Sequence, residues 1–269
     1  MRNFDKFAPR LRNWSVMLTR KLSGFSSADY RALLRQLLSH GFRDVRLSEL
    51  ESDKPHLYLR HDIDLCLEKA AAMAELEAEI GVSSSYFVLI STGLYNPASL
   101  ASRRLLRRII EHGHEIGLHF DATQTLHDED LQSAAAAECD ILADICGRSI
   151  HTISFHRPAP SLLNLTGNFA GRRHTYEPAF FSEIAYISDS NGGWHHGHPL
   201  DHPAIAEGRA VQLLTHPIWW IGSGAREAVP LIRDFADRRA AELHDDIAGT
   251  VTAYAKWRDD KGLPCGRHS

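Results

Sequence analysis

The stretch Leu57-Tyr58-Leu59-Arg60-His61-Asp62-Ile63-Asp64 decides how the rest of the chain is read. An apolar run from Leu57 to Leu59 passes directly into carboxylates and an imidazole, and a helical segment follows. Aliphatic and aromatic residues favour buried strands, and charges gather where a strand ends and a site can open. Asp62 and Asp64 stand two positions apart, so an extended backbone turns both carboxylates to the same face. Two carboxylates aimed together repel unless a cation or a shared proton lies between them. One can then hold a metal while the other handles protons. The competing reading is a pair of solvated loop acids closing a strand.

Outward from that stretch, strand and helix alternate. Tyr30, Leu33, Leu34, Leu37 and Leu38 recur at helical spacing behind a capping signal at Ser26-Ser27-Ala28-Asp29, and His40-Gly41 stops that helix. Residues 66–80 read as an alanine-rich helix ended by Gly81, 84–90 as a second strand, 97–112 as a helix and 115–120 as a third strand. A helix over 128–146 precedes a fourth strand at 150–155, and 161–179 is rich in loop signals. Strands five and six fall at 184–188 and 211–215, and 225–257 is mainly helix, interrupted at Pro230. No repeat or low-complexity linker divides this pattern, which predicts parallel strands joined by crossover helices. No glycine-rich phosphate loop follows the first strand, so a barrel is favoured over a nucleotide-binding sheet. The expected organisation is an N-terminal arm over residues 1–24 and a single domain over 25–269.

Composition excludes some classes of function. The 269 residues are 24% charged with a formal net charge of −4, so nothing electrostatic points to nucleic acid or an anionic membrane. Cys66, Cys139, Cys146 and Cys265 form no CxxC pair and read as reduced thiols. No apolar run reaches the roughly 18 residues of a membrane span. Residues 1–20 lack the continuous apolar core of an export signal, so a cytoplasmic location is expected. The unusual count is 17 histidines. His195-His196-Gly197-His198 with His202 invites a second metal site, but its glycine and proline neighbours read as a surface loop.

Polar residues recur at one place in the repeat. Asp62 and Asp64 end the first strand, His119 and Asp121 the third, His156 and Arg157 the fourth, Asp189 the fifth and His216 the sixth. In a barrel those carboxyl ends form one rim, where active sites are built. A lone histidine at a strand end is usually structural. Five strands delivering such groups to one rim are a different matter.

In order, these residues resemble the polysaccharide deacetylase superfamily, that is, carbohydrate esterase family 4 and its NodB-homology relatives. The likeness runs from Phe25 to Trp220 and rests on five motifs: His61-Asp62-Ile63-Asp64, Gly113-His114-Glu115-Ile116-Gly117-Leu118-His119, Ser154-Phe155-His156-Arg157-Pro158, Tyr186-Ile187-Ser188-Asp189-Ser190 with Trp194, and Leu214-Thr215-His216-Pro217. Among branches it is nearest to deacetylases of bacterial O-antigen and surface-polysaccharide biosynthesis. The resemblance implies an α/β fold, an incomplete or distorted (β/α) barrel of about seven parallel strands. It matches Asp62 to a catalytic base, Asp64 and His119 to metal ligands, Arg157 to the arginine that orients the base, and His216 to a general acid. Asp189 would hold that imidazole or brace Arg157.

One position departs from the pattern. The second metal histidine expected four residues after His119 is Thr123, so a third ligand must come from elsewhere. His156 is the first candidate because it ends the neighbouring strand, with Asp121 and His127 as alternatives. His114 lies five residues before His119 and points to the opposite face. Histidine, aspartate and water suit one divalent ion, Zn²⁺ first, with Fe²⁺, Co²⁺ or Ni²⁺ also fitting. Trp194, Trp219 and Trp220 are open to two readings, stacking on a sugar ring or ordinary packing.

The chemistry expected is removal of an N-acetyl (or O-acetyl) group from an acetylated sugar precursor of a surface polysaccharide. Asp62 would take the proton of the attacking water, and His216 would protonate the departing nitrogen. No GxSxG elbow supports a serine hydrolase instead. Two alternatives compete: a hydrolase of another C–N bond, such as a small amide or cyclic imide, on the same barrel, and a non-catalytic carbohydrate-binding relative. Thr123 keeps the second alive, and the presence of both a base and an acid speaks against it. The oligomeric state is left open.

Overall fold

The computed structural model describes residues 25–126, 130–195, 197–222 and 227–263. The N-terminal arm, His127, His196 and Cys265 lie outside the described residues. The chain divides into two compact units, one within Gly24–Gly224 and one that includes Ala225–Ser269.

Among its described residues the first unit holds eight strands: β1 (Arg43–Asp44), β2 (His56–Ile63), β3 (Ser85–Val88), β4 (Glu115–Phe120), β5 (Thr152–Phe155), β6 (Arg173–His174), β7 (Ala185–Ser188) and β8 (Val211–Thr215). Seven follow the path β6-β5-β4-β3-β2-β8-β7, and β1 pairs with the start of β2. Every pairing is parallel. Among the described residues nothing closes β6 onto β7, so the sheet is a curled, incomplete (β/α) barrel, as the motifs implied. The third and sixth expected strands match β4 and β8 residue for residue. The sequence reading missed β1 and β6, because two residues are too few for alternation to show.

The main helices of this unit are α1 (Ser27–Ser39), α2 (Leu67–Ile80), α3 (Leu100–Glu111) and α4 (Leu131–Cys146). Ser26 caps α1 by accepting from the Asp29 backbone N–H at 3.1 Å. Gly81 ends α2 in the left-handed region at φ +86°, where a side chain would be strained. In the second unit the helix Ala228–Thr250 runs through Pro230 without interruption. That corrects the expected break. Pro230 occupies the first turn, where a missing N–H has no carbonyl to serve, and the chain breaks instead at Val251 before Thr252–Asp260. No helix among the described residues is long and apolar enough to cross a membrane.

Period-two alternation gives the sheet two different faces. Outward residues such as Ile63, Val88, Leu118 and Ile153 join one apolar cluster with α2, α3 and α4. Inward residues are largely polar and still buried, Arg60, Asp62, Ser154 and Gln212 among them. Gly117 permits this inner packing, since a Cβ there would lie 2.5 Å from the Phe87 ring and 2.8 Å from Thr152 Oγ1.

One carboxylate is buried on the outer side. Glu77 of α2 accepts from Tyr30 Oη at 2.5 Å, Ser84 Oγ at 2.6 Å and Tyr86 Oη at 2.7 Å, and pairs with His61 Nε2 at 2.8 Å. It thereby ties α1, α2, β2 and the start of β3 together. Burial pushes its pKa up, but the His61 charge and hydrogen bond, His114 and Ser84 outweigh that and lower it to about 2, below the ordinary 4.5. A depressed folded-state pKa stabilises above the unfolded value and loses that contribution as pH falls through the folded one. Urea unfolding should therefore show wild-type stability falling between pH 4.5 and pH 2. Glu77→Gln should cost about 3 kcal/mol at pH 7 and flatten that acid slope. Equal slopes in the two proteins would refute the assignment.

Candidate metal centre and its flanking groups

Three ligand atoms meet where β2, β4 and β5 end. Asp64 Oδ1 lies 3.2 Å from His119 Nε2 and 3.3 Å from His156 Nδ1, and the two nitrogens are 3.1 Å apart. Ligands held tetrahedrally at about 2.0–2.1 Å stand roughly 3.3–3.4 Å from one another, so this triangle matches one face of a zinc-type tetrahedron. Asp64 Oδ1 is buried and makes no hydrogen bond despite its two imidazole neighbours. Leaving such an oxygen unsatisfied costs about 1–3 kcal/mol, and a cation in the triangle would remove that cost. The residues fit a divalent ion.

Of the alternatives for the third ligand, His156 is the one in the cluster. Asp121 is committed elsewhere: it accepts from the Thr123 backbone N–H at 3.0 Å and the Thr123 hydroxyl at 2.7 Å. His114 faces away from the rim and bonds to Ala74 O at 2.9 Å. His198 and His202 accept from the Leu200 and Ala204 backbone N–H groups, so these imidazoles cap short helical turns.

His119 is oriented from behind. Its Nδ1 bonds to Ser154 Oγ at 3.0 Å, which leaves the Nε2 lone pair for the triangle. The Ser154 hydroxyl also accepts from Arg60 Nη2 and lies 3.3 Å from Asp62 Oδ1, to which it can donate. Both lone pairs and the proton of this serine are thus used.

Asp62 sits at a second corner, its Oδ2 3.6 Å from His119 Nε2. Arg60 grips it with Nε on Oδ1 at 2.9 Å and Nη2 on Oδ2 at 2.8 Å. Burial pushes the Asp62 pKa up, but Arg60 and His119 outweigh it and the net shift is downward. Arg157, which the motif likeness matched to this duty, lines the same cleft but turns its guanidinium to a different carboxylate. It is 68% exposed, adopts φ +44° and donates to Asp121 at 3.1 Å. The alternation that places Asp62 and Asp64 on one face also places Arg60 there, which made Arg60 a candidate without choosing it over Arg157.

The other flank is His216, whose Nε2 lies 3.8 Å from Asp64 Oδ2. Its Nδ1 bonds to Asp189 Oδ1 at 2.6 Å. Asp189 is fully buried and also accepts from the His216 backbone N–H at 3.0 Å and Trp220 Nε1 at 2.7 Å. Of the two duties left open for Asp189, it performs the first and holds the imidazole. Burial pulls the His216 pKa down, but Asp189, with Asp64 and Asp62 behind it, raises it to about 9. The role of Trp220 carried no signal in the sequence, because it depends on how the turn after β8 folds back.

Asp62, Asp64, His119, His156 and His216 line a cleft of about 330 Å³, within the range of small-molecule sites. Tyr176, Tyr186, Ser190, Asn191 and Trp219 also stand in its wall. Trp194 packs against Phe25 and Trp220 at ring-centroid distances of 5.6 and 5.8 Å.

No protein-family model matches the chain, and no curated protein matches it. Among solved structures it is similar to a family 4 carbohydrate esterase from Bacillus anthracis, at 18% identity and TM-score 0.41 over 78% of this chain and 86% of that one. It is also similar to a chitin deacetylase from Colletotrichum lindemuthianum, at 13% identity and TM-score 0.39 over 74% and 85%. A third similar structure is a family 4 pseudoenzyme from Bacillus anthracis, at 10% identity and TM-score 0.39 over 70% and 63%. At these TM-scores the likenesses add nothing to the geometric argument.

Two substitutions probe the centre directly. His156→Ala removes a ligand atom and should abolish stoichiometric binding of Zn²⁺ or Co²⁺. Ser154→Ala leaves the ligands in place but frees the His119 ring, and should weaken affinity about 10–100-fold in chelator competition. Wild-type affinity in both variants would sink the assignment.

Proposed function

We propose that the protein is a metal-dependent deacetylase that hydrolyses the N-acetyl group of an amino sugar. The observation that carries this reading is one cleft holding a triangle of ligand atoms with a clamped carboxylate at one corner and a braced imidazole at another. A divalent ion held by Asp64, His119 and His156 would supply a Lewis acid, polarising an acyl oxygen and lowering the pKa of water toward about 7.

The chain's own residues do the proton work. Asp62 accepts the proton of the attacking water, and Arg60 fixes the direction from which it does so. His216 points Nε2 at the same centre while Asp189 holds its Nδ1 proton in place. That arrangement makes it the donor to the departing nitrogen. Base and acid approach different corners of the triangle, so each serves its own step. Trp219, Tyr176 and Tyr186 give the cleft aromatic surface suited to a sugar ring. With the motif likeness, this favours an acetylated precursor of a surface polysaccharide such as an O-antigen, with an O-acetyl ester as the lesser substrate.

The test is acetate release from N-acetylated amino sugars by protein loaded with Zn²⁺ or Co²⁺. Activity is expected in the wild type, with Asp62→Asn and His216→Ala each at least about 100-fold slower. Release of ammonia or ring opening from small amides or cyclic imides, without acetate from any sugar, would move the substrate to another C–N bond. No hydrolysis by the metal-loaded protein would leave a carbohydrate-binding protein.

A further inference from the structure

We infer that Arg60 is the positioning residue for Asp62, and that it works by holding this carboxylate beside the metal centre and off it. The inference rests on the reading of the site as a metal-dependent hydrolase. Asp62 Oδ2 lies 3.6 Å from His119 Nε2, itself a ligand atom. A carboxylate next to a ligand atom is within reach of a divalent ion held there and would be a ready ligand. Once it coordinates, the oxygen that faces the site is no longer free to accept a proton from water. Something must keep it in place.

Arg60 is built for that task. Its fork occupies both oxygens of Asp62, at 2.9 and 2.8 Å, a match that a lysine cannot make. The guanidinium has no freedom to follow the carboxylate if it moves. It is fully buried, stands 4.8 Å from the Tyr176 ring centroid and 5.6 Å from that of Phe87, and donates to Tyr176 Oη at 3.1 Å. Its other terminal nitrogen meets Gln212 Oε1 at 3.4 Å, and the amide of Gln212 is itself anchored on Thr175 O and Phe180 O. Ser154 completes the brace by joining Arg60, Asp62 and His119 through one hydroxyl. Arg157 spends its charge on Asp121 at the rim instead.

Cobalt supplies a readout that needs no substrate, because the intensity of its visible bands falls as its coordination number rises. In Co²⁺-loaded Arg60→Gln the freed Asp62 should join the ion, lowering band intensity several-fold and tightening Co²⁺ affinity. Adding Asp62→Ala to that variant should restore the wild-type spectrum. Arg60→Lys preserves the buried charge if the glutamine variant fails to fold, and should shift the spectrum the same way by a smaller amount. Arg157→Gln should keep the wild-type spectrum. On an active substrate, Arg60→Gln should lose about 100-fold in kcat with little change in KM. Unchanged spectra in folded Arg60 variants, or a shifted spectrum in Arg157→Gln, would overturn the inference. The expected spectra without acetate release in the wild type would uphold the clamp and overturn the deacetylase reading.

Discussion

A guanidinium cut off from water lies at the middle of this fold. Arg60 is fully buried on the inner face of β2, and a buried charge is tolerated only when paired and hydrogen-bonded. Its needs dictate much of what surrounds it. Asp62 supplies the opposite charge, Ser154 and Tyr176 accept from the same terminal nitrogen that faces it, and Gln212 on the neighbouring strand accepts from the other. The inner face is therefore polar, where a closed barrel would carry packed aliphatic layers. An open barrel can bear this, because its interior leads to a cleft.

The metal centre extends the same arrangement by one step along each strand. Alternation that turns Arg60 inward also turns Asp62 inward and leads on to Asp64 just past β2, as Ser154 on β5 leads on to His156 just past its end. His119 stands on β4 between them, in register with Ser154. His119 within β4 and the residues that directly follow β2 and β5, Asp64 and His156, thus bring three ligand atoms to one point. The flanking imidazole is less rigidly determined. His216 follows the end of β8, and its direction depends on Asp189 and on the indole of Trp220 folding back over that carboxylate.

The outer face solves a second electrostatic problem with different means. Glu77 comes from a helix, and its partners come from α1, β2 and the start of β3. His61 takes part in it from the position next to Asp62, while its Nδ1 bonds to Thr215 beside His216. Adjacent residues on β2 therefore face opposite ways, His61 fixing helix to sheet and Asp62 turned toward the candidate metal site.

The sequence by itself determined the class of fold and the rim of the site. Apolar runs ending in Asp, His or Arg recur with helices between them, and local periodicity together with chain connectivity is enough to imply parallel strands with one functional edge. Asp62, Asp64, His119, His156, Asp189 and His216 were all legible for that reason, since each closes a strand. Tertiary structure alone decided which groups pair. Two arginines, Arg60 and Arg157, stood within a few residues of the motif acids and ligands, and spacing could not say which would meet Asp62. The buried face of β2 places the first against it, and a left-handed backbone at the strand end sends the second to Asp121. Likewise Thr123 marked a missing ligand, but only the distance between neighbouring strands could show that His156 reaches the same point. Such pairings depend on contacts between residues far apart in the chain, which no local pattern encodes.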